Sequence, residues 1–173
     1  MKKPLEDRIL YEDNHLLIVN KEPSEIVQGD KTGDVCLLDD VKSYIKETYN
    51  KPGNVYAGLV HRNDRPVSGA VIFAKTSKAL SRMTLKIKER EFSKTYLAVV
   101  KNKPPQEAGE LSDYMIKNET QNKSYIVSSN TKGAKLAQLR YRLIGASDSY
   151  YLLEVELITG RHHQIRAQLA HMG

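Results

Sequence analysis

No apolar run in this chain is longer than about five residues, Ala70-Val71-Ile72-Phe73-Ala74 being representative. A helix that crosses a membrane needs roughly 20, so no helical span is expected and the core must come from short strands and one-sided helices. Of the 173 residues 40% are hydrophobic and 28% charged, a balance that closes a core and keeps a wet surface. The length suggests a single domain over residues 1–173. The N-terminus Met1-Lys2-Lys3-Pro4-Leu5-Glu6-Asp7 has no apolar stretch of the secretory kind, so a cytosolic location is expected. The single cysteine, Cys36, can form neither an internal disulfide nor a thiolate metal cage and is read as packing.

The pattern of elements follows from periodicity. His15 to Asn20 reads as a short buried strand, residues 23–34 as a loop, and Leu37 to Tyr49, with Leu38, Val41, Tyr44 and Ile45 at helical spacing, as a helix that stops before Asn50-Lys51-Pro52-Gly53. Tyr56 to Val60 and Ala70 to Lys75 look like strands around a turn-rich segment, and Phe92 to Val100 like a further strand broken by Lys103-Pro104-Pro105. Leu139, Tyr141 and Leu143 alternate with Gln138, Arg140 and Arg142, and Tyr150 to Ile158 repeats a β pattern across a turn at residues 145–149. Ile165, Leu169 and Met172 are spaced as in a helix. The expected fold class is α+β: a central, mostly antiparallel or mixed sheet with flanking helices and loops.

Charge is concentrated. Residues 75–103 hold nine Lys and Arg against Glu89 and Glu91, so this stretch carries more than the net +6 of the whole chain. Within it Lys78, Arg82, Lys86 and Arg90 recur every four residues beside Ala79, Met83 and Ile87, an amphipathic helix for which Ser77 is the expected cap. Like charges at i and i+4 repel by a few tenths of a kcal/mol per pair. A row of four is relieved by a polyanion, although a merely solvated face would read the same way.

Three stretches hold the residues that could do chemistry. His61-Arg62-Asn63-Asp64-Arg65-Pro66-Val67-Ser68-Gly69 forms a forced turn between two apolar strands and presents a carboxylate, Asp64, at a strand end. In extended chain Arg62 and Asp64 point to one side and His61 and Asn63 to the other. Phe92-Ser93-Lys94-Thr95-Tyr96 places Lys94 and Tyr96 on one strand face, where Tyr96 could equally be a core aromatic. Residues 159–169 place Arg161, Gln164 and Gln168 on or near one helical face and Ile165 and Leu169 on another. His162 and His163, adjacent on a helix, would point apart with no acidic ligand beside them, so no metal is expected.

Together these stretches resemble the RluA-type RNA pseudouridine synthases, whose ordered motifs are His-Arg-Xaa-Asp with Ser-Gly, then Lys-Thr-Tyr, then Thr-Gly-Arg-Xaa-His-Gln-Ile-Arg with a Leu three residues on. Here they stand at His61 to Gly69, Lys94 to Tyr96 and Thr159 to Leu169, and the resemblance runs from about Ile18 to the last residue. It implies the family's catalytic fold, isomerisation of a uridine in transfer or ribosomal RNA, and no cofactor or metal. It implies Asp64 as the catalytic aspartate, Tyr96 as the active-site tyrosine, Arg166 as the arginine paired with the aspartate, and Arg62 as the residue that reaches into the RNA. Arg65, Lys94, Arg161 and Gln164 of the same stretches, with Lys78, Arg82, Lys86 and Arg90, are expected to bind RNA. The position between Arg62 and Asp64, a leucine in the family, is Asn63. A monomer is expected, without an S4-like RNA-binding domain and without the C-terminal part of the family's domain. The alternative is an RNA-binding module of the same fold that has lost catalysis. Retention of Asp64, Tyr96 and Arg166 together argues against it, because a pure binder has no use for the carboxylate.

Overall fold

The computed structural model describes residues 3–29 and 33–173. The sequence readings of Met1-Lys2 and of residues 30–32 lie outside the described residues. The chain divides into two compact units, residues 1–89 and 90–173, each with its own antiparallel sheet and its own core. The α+β class and the antiparallel pairing are as expected, and the strands are distributed over two sheets.

In the first unit β1 (Ile9–Glu12), β2 (Leu16–Lys21), β3 (Gly58–Leu59) and β4 (Gly69–Ala74) pair in the order β1-β2-β4-β3. β2 alternates, with Leu17, Val19 and Lys21 buried and Asn20 exposed. Helix α1 (Leu37–Thr48) repeats Leu37, Val41 and Ile45 every four residues and packs that stripe on Leu17, Val19, Val71 and Phe73. Each such side chain stabilises by about 1.5–3 kcal/mol on burial. Val71 to Ala74 are buried without alternation because helix α2 (Ser77–Lys88) also lies against β4 and β3. The approach is close at Gly58, where a Cβ would lie 2.8 Å from Tyr56 Oη and 2.9 Å from Leu80 Cδ2.

The cap of α2 is one residue earlier than expected. The Thr76 hydroxyl, not that of Ser77, accepts from the Ala79 N–H at 3.1 Å, because Thr76 is the last residue with extended backbone (φ −141°, ψ 154°). The helix ends at Lys88, and Arg90, with φ of +61°, is outside it. The basic row on the helix is therefore Lys78, Arg82 and Lys86.

In the second unit β5 (Thr95–Val100), β6 (Ala108–Asn118), β7 (Lys123–Val127), β8 (Lys135–Ala146) and β9 (Tyr151–Leu157) pair in the order β5-β9-β8-β6-β7. Leu139, Tyr141, Leu153 and Val155 point to one face, where helix α3 (Gln164–Met172) packs Ile165, Leu169 and Met172 against them. The other face is wet and carries cross-strand ion pairs, Arg140 with Glu110 at 3.2 Å and Arg142 with Glu154 at 2.9 Å. The hairpin β6–β7 has no counterpart in the sequence reading. Its outward positions Glu110 and Ser112 are polar, its runs Tyr114-Met115-Ile116 and Tyr125-Ile126-Val127 put apolar residues on both faces and blur the alternation, and its turn is closed by Asn118, whose Oδ1 accepts from the Gln121 N–H at 2.9 Å.

Candidate active site

The Asp64 segment is held by side chains that replace missing strand pairing. β3 ends at Leu59, and after the Val60 N–H bonds to the Ile72 carbonyl (3.2 Å) the Ile72 N–H turns to His61 Nε2 at 3.3 Å, so an imidazole takes the next place in the ladder. Residues 60–64 are then irregular, so the strand alternation expected for Arg62, Asn63 and Asp64 does not apply. Arg62 is exposed, while Asn63 and Asp64 are half-buried. A turn closed by Val67 N–H to Asp64 O at 3.0 Å follows.

That turn is strapped from beneath by a residue that the sequence reading missed. Lys21, the last residue of β2, has no exposed surface, and its Nζ donates to the carbonyls of Arg65 and Glu22, both at 3.0 Å, and of Val67. Burial lowers its pKa, and the negative charges of Glu25 and Asp64 oppose that shift. The signal was in the alternation: Lys21 continues the inward register of Leu17 and Val19, a place where a lysine survives only with partners. Arg65, expected to contact RNA, also works locally, with Nε donating to Ser24 O at 3.1 Å and the guanidinium pairing with Asp34 at 3.0 Å, although both side chains are about half exposed.

In the second unit Tyr96 lies on the core side of β5, opposite Val155, and packs against the cluster under α3. Lys94 is half-buried with a pKa lowered by burial, and its Nζ would be 3.1 Å from a Cβ at Gly160. It is therefore placed close over the Thr159-Gly160 turn.

The segment before α3 is built around glutamines. Gln164, expected on the RNA face, is instead interior at 2% exposure, and every polar atom of its amide is used within the fold. Its Oε1 accepts from the Arg161 N–H (2.9 Å) and the Thr159 hydroxyl (2.8 Å), and its Nε2 donates to Gln138 O and Gln168 Oε1, both at 3.0 Å. Gln168 continues the ladder, donating to Asp113 Oδ2 at 2.8 Å and Ala137 O at 3.2 Å. With Gln164 and Gln168 inward, Arg166 is on the exposed side of α3. Arg161 is exposed, its Nε tied to Leu136 O at 2.9 Å.

His162 and His163 precede the helix rather than lying on it. His163 takes φ of +50° at the N-cap, so the two rings stack at 3.7 Å instead of pointing apart, and His162 Nδ1 is 3.0 Å from Ser124 Oγ. Among the described residues no group of three or more His, Cys, Asp or Glu could hold a metal ion, and no helix is long and apolar enough to cross a membrane. Lys78, Arg82 and Lys86 are exposed along α2.

A family model described as RNA pseudouridylate synthase matches residues 15–171, across both units. A protein of Buchnera aphidicola subsp. Acyrthosiphon pisum named ribosomal large subunit pseudouridine synthase C is 36% identical over 96% of this chain and 51% of its own length. The protein of that name from Vibrio cholerae is 31% identical over 98% of this chain and 50% of its own. The chain thus spans about half the length of the curated relatives it matches. Among solved structures, human RNA pseudouridylate synthase domain containing 4 superposes with a TM-score of 0.82 over 96% of this chain and 65% of that one, at 23% identity, which shows a shared fold.

Proposed function

The chain belongs to the RNA pseudouridylate synthase family, and on that footing we propose that it isomerises a uridine of large-subunit ribosomal RNA to pseudouridine. The observation that carries this reading is Asp64, an acid in the irregular segment between β3 and β4 whose turn is fastened by a fully buried lysine. A turn so secured holds its carboxylate in one place. The isomerisation is redox-neutral: the bond from the sugar to the base nitrogen breaks, a bond to a base carbon forms, and a proton leaves that carbon while the nitrogen gains one. A fixed carboxylate stabilises the detached intermediate covalently or electrostatically. Asp64 is assigned that role, with Tyr96 as the aromatic of the catalytic set and Arg166 as its cation.

The target must leave its stack, at a cost of a few kcal/mol. Arg62, Lys94, Arg161 and the exposed part of Arg65, with Arg90 and the α2 row Lys78, Arg82 and Lys86, are assigned to phosphates that offset it. We read residues 1–173 as belonging to one catalytic domain, supported by a family match that crosses both units. We assign it to the cytoplasm, in keeping with work on ribosomal RNA, and read it as a monomer.

The test is pseudouridine mapping on large-subunit ribosomal RNA from cells lacking the gene, incubated with purified protein. Wild type is expected to form product, and Asp64→Asn none while keeping its fold and RNA affinity; product at a wild-type rate from Asp64→Asn refutes the assignment. Binding without product by the wild type would instead identify an RNA-binding module. Neutralising Lys78, Arg82 and Lys86 to Gln should lower the slope of log affinity against log salt by roughly two to three, whereas a solvated face leaves it unchanged.

A further inference from the structure

The outward face of the β6–β7 hairpin carries two tyrosines that the proposed chemistry does not use. Tyr114 and Tyr125 are 38% and 43% exposed. They are on the side of the sheet away from α3, since the inward residues of β6 are Met115, which is buried, and Asp113, which accepts from Gln168 of α3. Tyr114 pairs with Val127 and Leu136, and Tyr125 with Ile116. The two residues are thus diagonal neighbours, roughly 7–8 Å apart backbone to backbone by strand geometry, on a floor of half-buried aliphatic side chains. The Tyr125 hydroxyl donates to Gln121 Oε1 at 2.6 Å, which sets its ring.

The rim is cationic. Lys123 is exposed two residues before Tyr125 on the same face, and Arg161 is anchored at the carbonyl of Leu136, the cross-strand partner of Tyr114. The nearby carboxylates are already paired: Asp113 with Gln168 of α3, Glu119, in the turn after β6, with Lys117 at 2.5 Å, and Glu110, farther along the same outward face, with Arg140, which Glu156 also approaches at 3.9 Å. Aromatic faces with cations beside them, on a face whose acids are already paired with arginines, suit bases and their phosphates. A protein partner would have the aliphatic floor to use but no counterpart for the one-sided charge.

We propose that this face is a stacking surface for single-stranded RNA flanking the target uridine, with Tyr114 and Tyr125 each taking a base and Lys123 and Arg161 the adjoining phosphates. The proposal rests on the reading of the chain as acting on RNA. It places RNA on the sheet face opposite Tyr96 and α3, so it concerns the strand around the target and not the target itself.

The probe is a fluorescein-labelled, mixed-sequence single-stranded RNA of about 20 nucleotides, bound by the full chain over a series of salt concentrations, with thermal unfolding to confirm each fold. Tyr114→Ala with Tyr125→Ala is expected to weaken binding about tenfold per ring with the salt slope unchanged, because no charge is lost. The double Phe variant keeps the stacking faces and should stay within about twofold of wild type. Lys123→Gln should lower the slope by roughly one. A folded Ala variant that binds like wild type overturns the proposal, as does a Phe variant that loses as much as the Ala variant. Wild-type self-association that the Ala variant loses, with RNA binding intact, overturns it in favour of a protein surface. Failure of the catalytic reading is separate: wild type would form no pseudouridine in the mapping experiment while these binding differences persisted.

Discussion

The turn at Asp64 and the turn at Thr159 to Gln164 are both irregular backbone fastened by a side chain from within, yet one uses a charge and the other does not. Beneath Asp64 a single ammonium, Lys21 Nζ, serves three carbonyls. Beneath Thr159 an amide both accepts and donates, and passes the bond on through Gln168 to Asp113. An ammonium has three donors and no acceptor, so it suits a place where several carbonyls converge; an amide suits one where an N–H and a hydroxyl must also be received. The charged strap also bears on function, because its positive charge is opposite in sign to Asp64 and attracted by it. The two amides carry no charge of their own, the ladder meets an acid only at its far end in Asp113, and Arg166 is the arginine that α3 presents on its exposed side.

The comparison breaks most visibly at Lys21. Lys21→Met keeps the length and the apolar stem but leaves the carbonyls of Glu22, Arg65 and Val67 without a donor in a site closed to water. Unsatisfied buried groups cost about 1–3 kcal/mol each, partly offset here because no buried charge remains. A loss of roughly 2–4 kcal/mol is expected in urea unfolding, together with a fall in kcat larger than any change in RNA affinity. A variant as stable as wild type would show that the strap is dispensable.

Gln164 gives a smaller effect and a sharper contrast. Gln164→Ala removes the acceptor for Arg161 N–H and Thr159 and the donor to Gln138 O, for an expected loss of about 1–3 kcal/mol. Gln164→Glu is nearly the same shape and still accepts from Arg161 and Thr159, but it turns a carboxylate toward Gln138 O and Gln168 Oε1. It should therefore be the worse of the two near neutral pH and recover as the solution is acidified enough to protonate it. Equal melting curves for Glu and Gln at neutral pH would mean that the ladder tolerates charge.

Periodic elements were legible in the sequence and their fastenings were not. Ala70 to Ala74 announced β4 by five apolar residues in a row, and the spacings of Val41 with Ile45 and of Ile165 with Leu169 announced α1 and α3. Lys21 falls one residue past the strand expected over His15 to Asn20, and the carbonyls that explain its burial belong to residues 44 and 46 positions away. Gln164 read as an RNA contact because helical spacing grouped it with Arg161, whereas Arg161 precedes the helix and Gln164 faces the sheet. The hairpin β6–β7 was missed because its apolar residues, Tyr114-Met115-Ile116 and Tyr125-Ile126-Val127, stand on both faces and break the alternation that announces a half-buried strand. The candidate catalytic residues come from the resemblance of their motifs, which proposes a role for a residue and does not say what holds it.

The smallest effect expected is on the acid side of the stability curve, and it again separates the two units. Glu12 is held by Lys75 at 2.7 Å and by the hydroxyls of Tyr44 and Tyr49, each at 2.8 Å, where β1 meets α1. Burial alone would raise its pKa, but the bonds from Lys75, Tyr49 and Tyr44 outweigh that and leave it below the ordinary glutamate value of 4.5. A carboxyl whose folded pKa is depressed binds its proton more weakly than in the unfolded chain. Its contribution is therefore complete above 4.5 and lost as the pH falls through the lower folded value. In the second unit the one acidic side chain with a lowered pKa is Glu119, which is fully exposed and screened by solvent. Between about pH 5 and pH 3, amide exchange should accordingly rise earlier in residues 1–89 than in 90–173. Glu12→Gln, already less stable at pH 7, should remove that difference. Exchange that rises together in both units of the wild type would show that the acid response lies outside the Glu12 cluster.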